Sequence, residues 1–235
     1  MISIMNNALP TTKDGYGYGL QAVDGDMLKV RTVDRTVDFG FPQQFGVNWF
    51  RYGRRIGLEH LPTRWRAISS SGKPLARSRI DLPDLDSTQG ASIVSQRFRD
   101  IVEHFEPGVH QFKPVRLIFA GNEEETRPFF LMVPCQRVVI SLDHGRTRPP
   151  MRAFPERPDL VKPDPARPLH FFASGTATAE WAPVFLREAV AGKHLFCAAD
   201  FPRWLFVSAE LRKALEGAGM LGMAFLGPYP VTGEG

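Results

Sequence analysis

The chain has 235 residues, of which 43% are apolar and 23% charged, with a formal net charge of +4. That is enough apolar side chain for a sizeable core and excludes a wholly disordered chain. No apolar run approaches the roughly 18 residues of a membrane helix, MISIMNNALP carries neither the basic nor the apolar region of a secretory signal, and Cys135 and Cys197 form no C-x-x-C pair. A cytoplasmic globular protein is expected, its cysteines acting as small buried apolar side chains.

Residues 11–26 (TTKDGYGYGLQAVDGD) are rich in Gly, Asp and Tyr and predict loops around a short strand, or a mobile arm. Met27 to Val33 fits a strand, with Leu28, Val30 and Val33 apolar. Residues 39–52 are aromatic, broken by glycine, and fit irregular structure packed on a core. Further strands are expected at Ile93-Val94, Val115 to Phe119, Phe129 to Val133, Val138 to Leu142, Leu169 to Ala173, His194 to Cys197, Leu205 to Val207 and Leu221 to Leu226. Seven prolines between Pro149 and Pro168 exclude a helix or central strand and predict an extended strap, either a linker or a functional loop. Ala182 to Ala191 predicts a helix or turn, with Pro183 in its first turn.

Two segments repeat one pattern. Residues 94–103 read VSQRFRDIVE and residues 207–216 read VSAELRKALE, identical at four of ten positions. Phe98, Ile101, Val102 and Phe105 share helical spacing; so do Leu211, Ala214, Leu215 and Ala218. Ser95 and Ser208 are suited to cap the two helices, and Pro107-Gly108 and Gly217 with Gly219 to stop them. Each unit reads as strand, short helix, strand. The expected fold is α+β, a mixed sheet with two such units and an irregular, Gly/Pro/aromatic-rich N-terminal portion. A single domain over 1–235 would divide into 1–80, a first unit at 81–148, the strap at 149–168 and a second unit at 169–235.

No catalytic constellation emerges. The six histidines form no H-E-x-x-H or Cys/His cluster. His194 and Cys197, three apart in a strand, would point to opposite faces. His104 and His110 are expected at the solvated surface. Ser70-Ser71-Gly72-Lys73 matches S-x-x-K, but Gly72 and Pro74 disfavour the helix that chemistry needs. Ser174 lacks the preceding glycine of a nucleophile elbow, and Gly15, Gly17 and Gly19 precede no helix. The carboxylates of DLPDLDS (Asp81, Asp84, Asp86) and Glu123-Glu124-Glu125 suit solvated loops. No metal or cofactor site is predicted.

Charge is unevenly placed. Eight cations between Arg51 and Arg79 face Glu59 alone, giving that segment +7. Trp49, Phe50, Tyr52 and Trp65 are interleaved with them. Arginines beside aromatic rings suit either an acidic protein surface or single-stranded nucleic acid. The candidate partner-binding residues are Trp49, Arg51, Tyr52, Arg54, Arg55 and Trp65.

ASIVSQRFRDIVEHFEPGVHQFKPVRL, residues 91–117, resembles the central signature of immunity family eleven, a bacterial family from polymorphic toxin systems. HLFCAADFPRWLFVSAELRKALEGAGMLGMAF, residues 194–225, is similar to its C-terminal signature, and Leu82-Pro83-Asp84 precedes the first as in that family. The resemblance implies a non-catalytic protein of contact-dependent or type VI competition. Such a protein binds a toxin domain encoded by a neighbouring gene and needs no cofactor or membrane. It carries over no binding residue. A nucleic-acid-associated regulatory protein using residues 49–79 is the alternative.

Overall fold

The computed structural model describes residues 1–7, 12–26, 30, 53, 55–88, 91–138, 141–143, 145–148, 152–153, 170–171, 182–198 and 201–233. The chain opens with β1 (Ile2–Asn7), β2 (Tyr18–Ala22), β3 (Arg64–Ser69), β4 (Leu85–Thr88) and β5 (Ala91–Ser95). Helix α1 (Gln96–Phe105) leads to β6 (Gln111–Ile118), β7 (Phe129–Val133) and β8 (Arg137–Val138). Two-residue strands β9 (Arg152–Ala153) and β10 (His170–Phe171) pair with each other alone. Then come α2 (Arg187–Val190), β11 (Leu195–Ala198), β12 (Phe201–Ser208), α3 (Ala209–Gly217) and β13 (Met223–Tyr229).

The fold is α+β with two large mixed sheets. One has the order β2-β3-β6-β7-β5-β4 and the other β13-β1-β12-β11-β8. The pairs β3/β6 and β8/β11 are parallel and the others antiparallel. In the first sheet the two edge strands, β2 and β4, approach each other, so it curls around its own core.

The sequence repeat is a repeat of topology. β5 and β6 both pair antiparallel with β7, so they run parallel to each other with one strand between them. β12 and β13 flank β1 in the same way. Each unit is therefore a split β–α–β, extended by an antiparallel neighbour, β4 beside β5 and β11 beside β12. The units differ in where the middle strand originates. The first takes β7, which follows β6; the second takes β1 from the other end of the chain. MISIMNN was not read as a strand, although Ile2, Ile4 and Met5 are buried.

Ser95 and Ser208 cap their helices as expected, accepting from Phe98 N–H at 3.2 Å and Leu211 N–H at 3.1 Å. The repeated arginines also match. Arg99 lies over Phe112, on the strand leaving its helix, and Arg212 over Phe225, on the corresponding strand. Phe98, Val102, Leu211 and Leu215 are fully buried and Ile101 partly so. They join Leu85, Val94, Phe130 and Met132 of the first sheet to Met5, Leu195 and Val207 of the second. The helices thus pack on one another between the sheets. Arg97 on α1 donates to Ala218 O at the end of α3, a cation at a helix C-terminus.

Each sheet carries a further core on its other face. Trp65, Leu117, Phe129 and Leu131 lie within the curled sheet; Phe185, Phe196 and Phe206 back the second. The strands expected at Phe129–Val133 and in the two repeat flanks are present, and β11 lies one residue beyond His194–Cys197. Of Val138 to Leu142, Val138 ends β8 and Leu142 bridges to Phe185, while residues 139–140 lie outside the described residues. Only His170–Phe171 of Leu169 to Ala173 is described as strand.

The helix at 182–191 is shorter than its composition suggests. Phe185 N–H donates to Pro230 O at 3.0 Å and Phe185 O accepts from Thr232 N–H at 2.7 Å. That extended pairing keeps residues 183–186 out of the helix, so Pro183 lies outside it. The expected loops with a short strand at 11–26 are found, the strand being β2. The strand call at Met27 to Val33 lies outside the described residues except for buried Val30; so do the irregular segment 39–52 and all of the proline strap but Arg152 and Ala153.

Candidate functional site

Two buried carboxylates fasten the units together at opposite ends of α1. Ser95 Oγ donates to Asp84 Oδ1 at 2.6 Å, and Leu221 N–H, from the loop after α3, donates to Asp84 Oδ2 at 3.0 Å. At the other end, Glu106 accepts from His194 N–H at 2.6 Å, Leu195 N–H at 3.0 Å and His110 Nε2 at 2.7 Å. Cys135 N–H donates to His110 Nδ1 at 3.1 Å, so the ring proton is on Nε2, where it serves Glu106. Burial pushes the Glu106 carboxyl up, but the hydrogen bonds it receives outweigh that and hold it below the usual carboxylate range.

These contacts correct two expectations. His110 is 4% exposed, not solvated, because Glu106 and the β7 end close over it. His104 is exposed, as expected. The DLPDLDS carboxylates are not a solvated run: Asp84 and Asp86 are buried and only Asp81 faces solvent, near Lys13 at 3.6 Å. Glu125 is likewise no free loop acid. Its carboxylate is gripped by Arg77 Nε at 2.6 Å and Arg127 Nε at 3.1 Å. The carboxylates are visible in the sequence; their distant backbone partners are not.

Asp86 differs from its neighbours. Strand alternation turns Leu85 toward the helices and Asp86 the other way, opposite Ile93 of the curled sheet's core. It is 3% exposed, neither oxygen has a hydrogen-bond partner among the described residues, and burial pushes its carboxyl up to about 6. Tyr18, on the facing edge strand β2, has an unpartnered hydroxyl. Burial first, and then the Asp86 charge, raise its pKa well above the usual phenol value.

Cys197 is buried and Cys135 half-buried, and no disulfide joins them. Burial pushes Cys135 up to about 11, so it is protonated and unreactive at neutral pH. Ser69 to Lys73 is a tight turn, Gly72 adopting φ +77°, which removes the helix an S-x-x-K site requires. Among the described residues, no group of three or more His, Cys, Asp or Glu is placed to hold a metal, and no helix is long and apolar enough to cross a membrane. The Ser174 segment lies outside the described residues.

Of the partner-binding candidates, Trp49, Arg51, Tyr52 and Arg54 lie outside the described residues. Arg55 is exposed and its guanidinium donates to Gly108 O at 2.6 Å, beyond the end of α1. Trp65 is a correction. It sits on the inward face of β3, fully buried, and presents no surface to a partner. The remaining cations divide. Arg77 pairs with Glu125 and Arg79 with Asp14, whereas Arg64 and Arg66 point outward from β3.

The two split units, with the carboxylates that join them, coincide with the segments 91–117 and 194–225 and with Leu82-Pro83-Asp84. A family model described as Immunity protein family (Imm11) matches residues 38–227. The chain belongs to that family. A search of curated proteins returned no match. The Imm11 match spans the first split unit, the basic segment 51–79 and the second unit from β11 into β13, but not β1, the second unit's middle strand.

Proposed function

We propose that this Imm11 protein neutralises a cognate bacterial toxin domain by direct protein–protein binding, without catalysis, in the cytoplasm. Membership of an immunity family over residues 38–227 is the observation that carries this reading. The polar chemistry of the fold agrees with it. Asp84 and Glu106 are spent on joining the two units, His110 is held by Glu106 and Cys135 N–H, the His194 ring by Ser208, and Cys135 is protonated. The basic segment supplies the proposed contact, with Trp49, Arg51, Tyr52, Arg54 and Arg55 at one end of it. Tight complexes use such arginines and aromatic rings as anchors. The nucleic-acid alternative loses one of its stacking rings, since Trp65 is turned into the core.

The test is co-expression with the toxin domain encoded by the neighbouring gene. Retention of the tagged chain on that domain, with protection of growth at a one-to-one ratio, is the expected result. Protection at strongly substoichiometric levels would refute binding without catalysis. Protection confined to toxin directed to the periplasm would refute the cytoplasmic assignment.

A further inference from the structure

β3 and β6 run parallel with Arg64 opposite Arg116, Trp65 opposite Leu117 and Arg66 opposite Ile118. Alternation sends Trp65 and Leu117 into the core and the three arginines to the outer face. Arg64 is exposed and the Arg116 side chain is 72% exposed. Like charges directly opposite each other on neighbouring strands repel. Little on the protein offsets them. Glu124 approaches Arg116 only to 3.8 Å and is itself 43% exposed. Asp24 accepts from the backbone N–H groups of Thr63 and Arg64 and from the Thr63 hydroxyl, and its negative charge offsets that of Arg64 only in part. Arg66 reaches the neutral Asn122 at 3.4 Å. Elsewhere in the same basic segment Arg77 and Arg79 each hold a carboxylate at 2.6 Å. The least compensated charge of these strands is therefore concentrated on one face of two adjacent strands, set on a rigid core.

We infer that the outer face of β3 and β6, presenting Arg64, Arg66 and Arg116, docks an acidic surface of the partner protein. The inference rests on the toxin-binding reading and names the part of this chain that carries it. An acidic protein is favoured over single-stranded nucleic acid because the aromatic ring of β3, Trp65, faces inward. Among the described residues of the paired stretch 64–66 and 116–118, none on the arginines' face carries a ring on which an unpaired base could stack. A cluster of like charge on an exposed sheet face steers an oppositely charged partner, and the effect fades as salt shortens the screening length.

The experiment measures association of the full chain with the toxin domain of the neighbouring gene, from about 50 mM to about 500 mM salt. The probes are that toxin domain and, separately, a single-stranded DNA oligonucleotide. The variants are Arg64→Gln/Arg116→Gln and Arg64→Glu/Arg116→Glu, checked for an unchanged thermal transition. The neutral pair keeps the test valid if the reversed pair fails to fold. In low salt the neutral pair should associate about tenfold more slowly with the toxin than the parent chain does, and the reversed pair more slowly still. The parent rate should fall steeply with salt and the variants' rates should not. A parent chain that binds the toxin while both variants match it would overturn the inference and leave the toxin reading standing. A parent chain that does not bind the toxin would overturn both. Variants that lose only oligonucleotide retention would assign the face to nucleic acid and overturn the inference.

Discussion

Replacing Glu106 tests whether the two halves of the fold are held by one carboxylate. Glu106→Gln is close to isosteric, so it changes the hydrogen bonding and little else. In the parent chain the carboxylate accepts from three donors, His110 Nε2, His194 N–H and Leu195 N–H. A glutamine offers one acceptor oxygen and turns an NH2 group toward the others. His110 offers no relief by changing tautomer, because its Nδ1 already accepts from Cys135 N–H. At least one buried donor is left facing another donor. Each such loss costs about 1–3 kcal/mol, so Glu106→Gln should lower stability by about 2–4 kcal/mol. Glu106→Ala strands all three donors and should cost about 4–6 kcal/mol. Against the usual 5–15 kcal/mol of a folded domain, either is a large fraction. Urea denaturation followed by circular dichroism gives the number. The acid dependence gives an independent check. The folded pKa of Glu106 lies below its ordinary 4.5, so its contribution is present above that value and is lost as pH falls through the folded pKa. Glu106→Gln should remove that part of the acid limb. A glutamine variant within about 0.5 kcal/mol of the parent at pH 7 would refute the clamp.

Asp86 should behave with the opposite sign. Its folded pKa of about 6 lies above the ordinary 3.8, so its contribution is full below about pH 4 and is lost as pH rises through 6. That difference corresponds to about 3 kcal/mol. Asp86→Asn should therefore be more stable than the parent at pH 8, by about 1–3 kcal/mol, and urea midpoints at pH 4.5 and 8 that shift in parallel for both proteins would contradict the assignment. Phe98→Ala, at the centre of the helix-to-sheet packing, should cost about 3–5 kcal/mol, and an unchanged denaturation midpoint would place its ring outside that core. Deleting residues 2–7 removes the middle strand of the second split unit, and hydrogen exchange should show lost protection in β12, α3 and β13 before the first sheet; protection equal to the parent's would mean that the unit closes without β1.

The repeat made the architecture legible because its signal is local. Ser95 and Ser208 before a 3.6-residue apolar period specify a capped amphipathic helix whatever surrounds it, and both helices begin where the capping residues placed them. β7 was readable for a similar reason, as five consecutive apolar residues that form a strand buried on both faces. What failed to show depends on partners far along the chain. β1 becomes a central strand only because β12 and β13, from the far end of the chain, arrive on either side of it. His110 looked solvated because it follows a Pro-Gly stop. Its burial is imposed by Cys135, 25 residues later, and by Glu106. The helix at 182–191 was overextended because its propensity is overridden by pairing with residues 230–232.

The candidate surface followed the same division. The +7 of residues 51–79 was visible as a sum, but a sum does not say which charges are spent. Pairing withdraws Arg77 and Arg79, and Arg55 is drawn to the end of α1. Strand alternation then does what composition does not: it sends Trp65 inward and Arg64 and Arg66 outward, and the parallel register adds Arg116 from 50 residues away. Both helices of the repeat are consumed in joining the sheets, so neither offers its apolar face to a partner. Recognition through the helices would require opening the core they share. An outer sheet face needs no such opening, and the strands that carry its charges are held by the packing of Trp65 and Leu117 beneath them. A surface already rigid loses little conformational entropy when a partner docks, which is the condition under which a small set of arginines yields tight and selective binding.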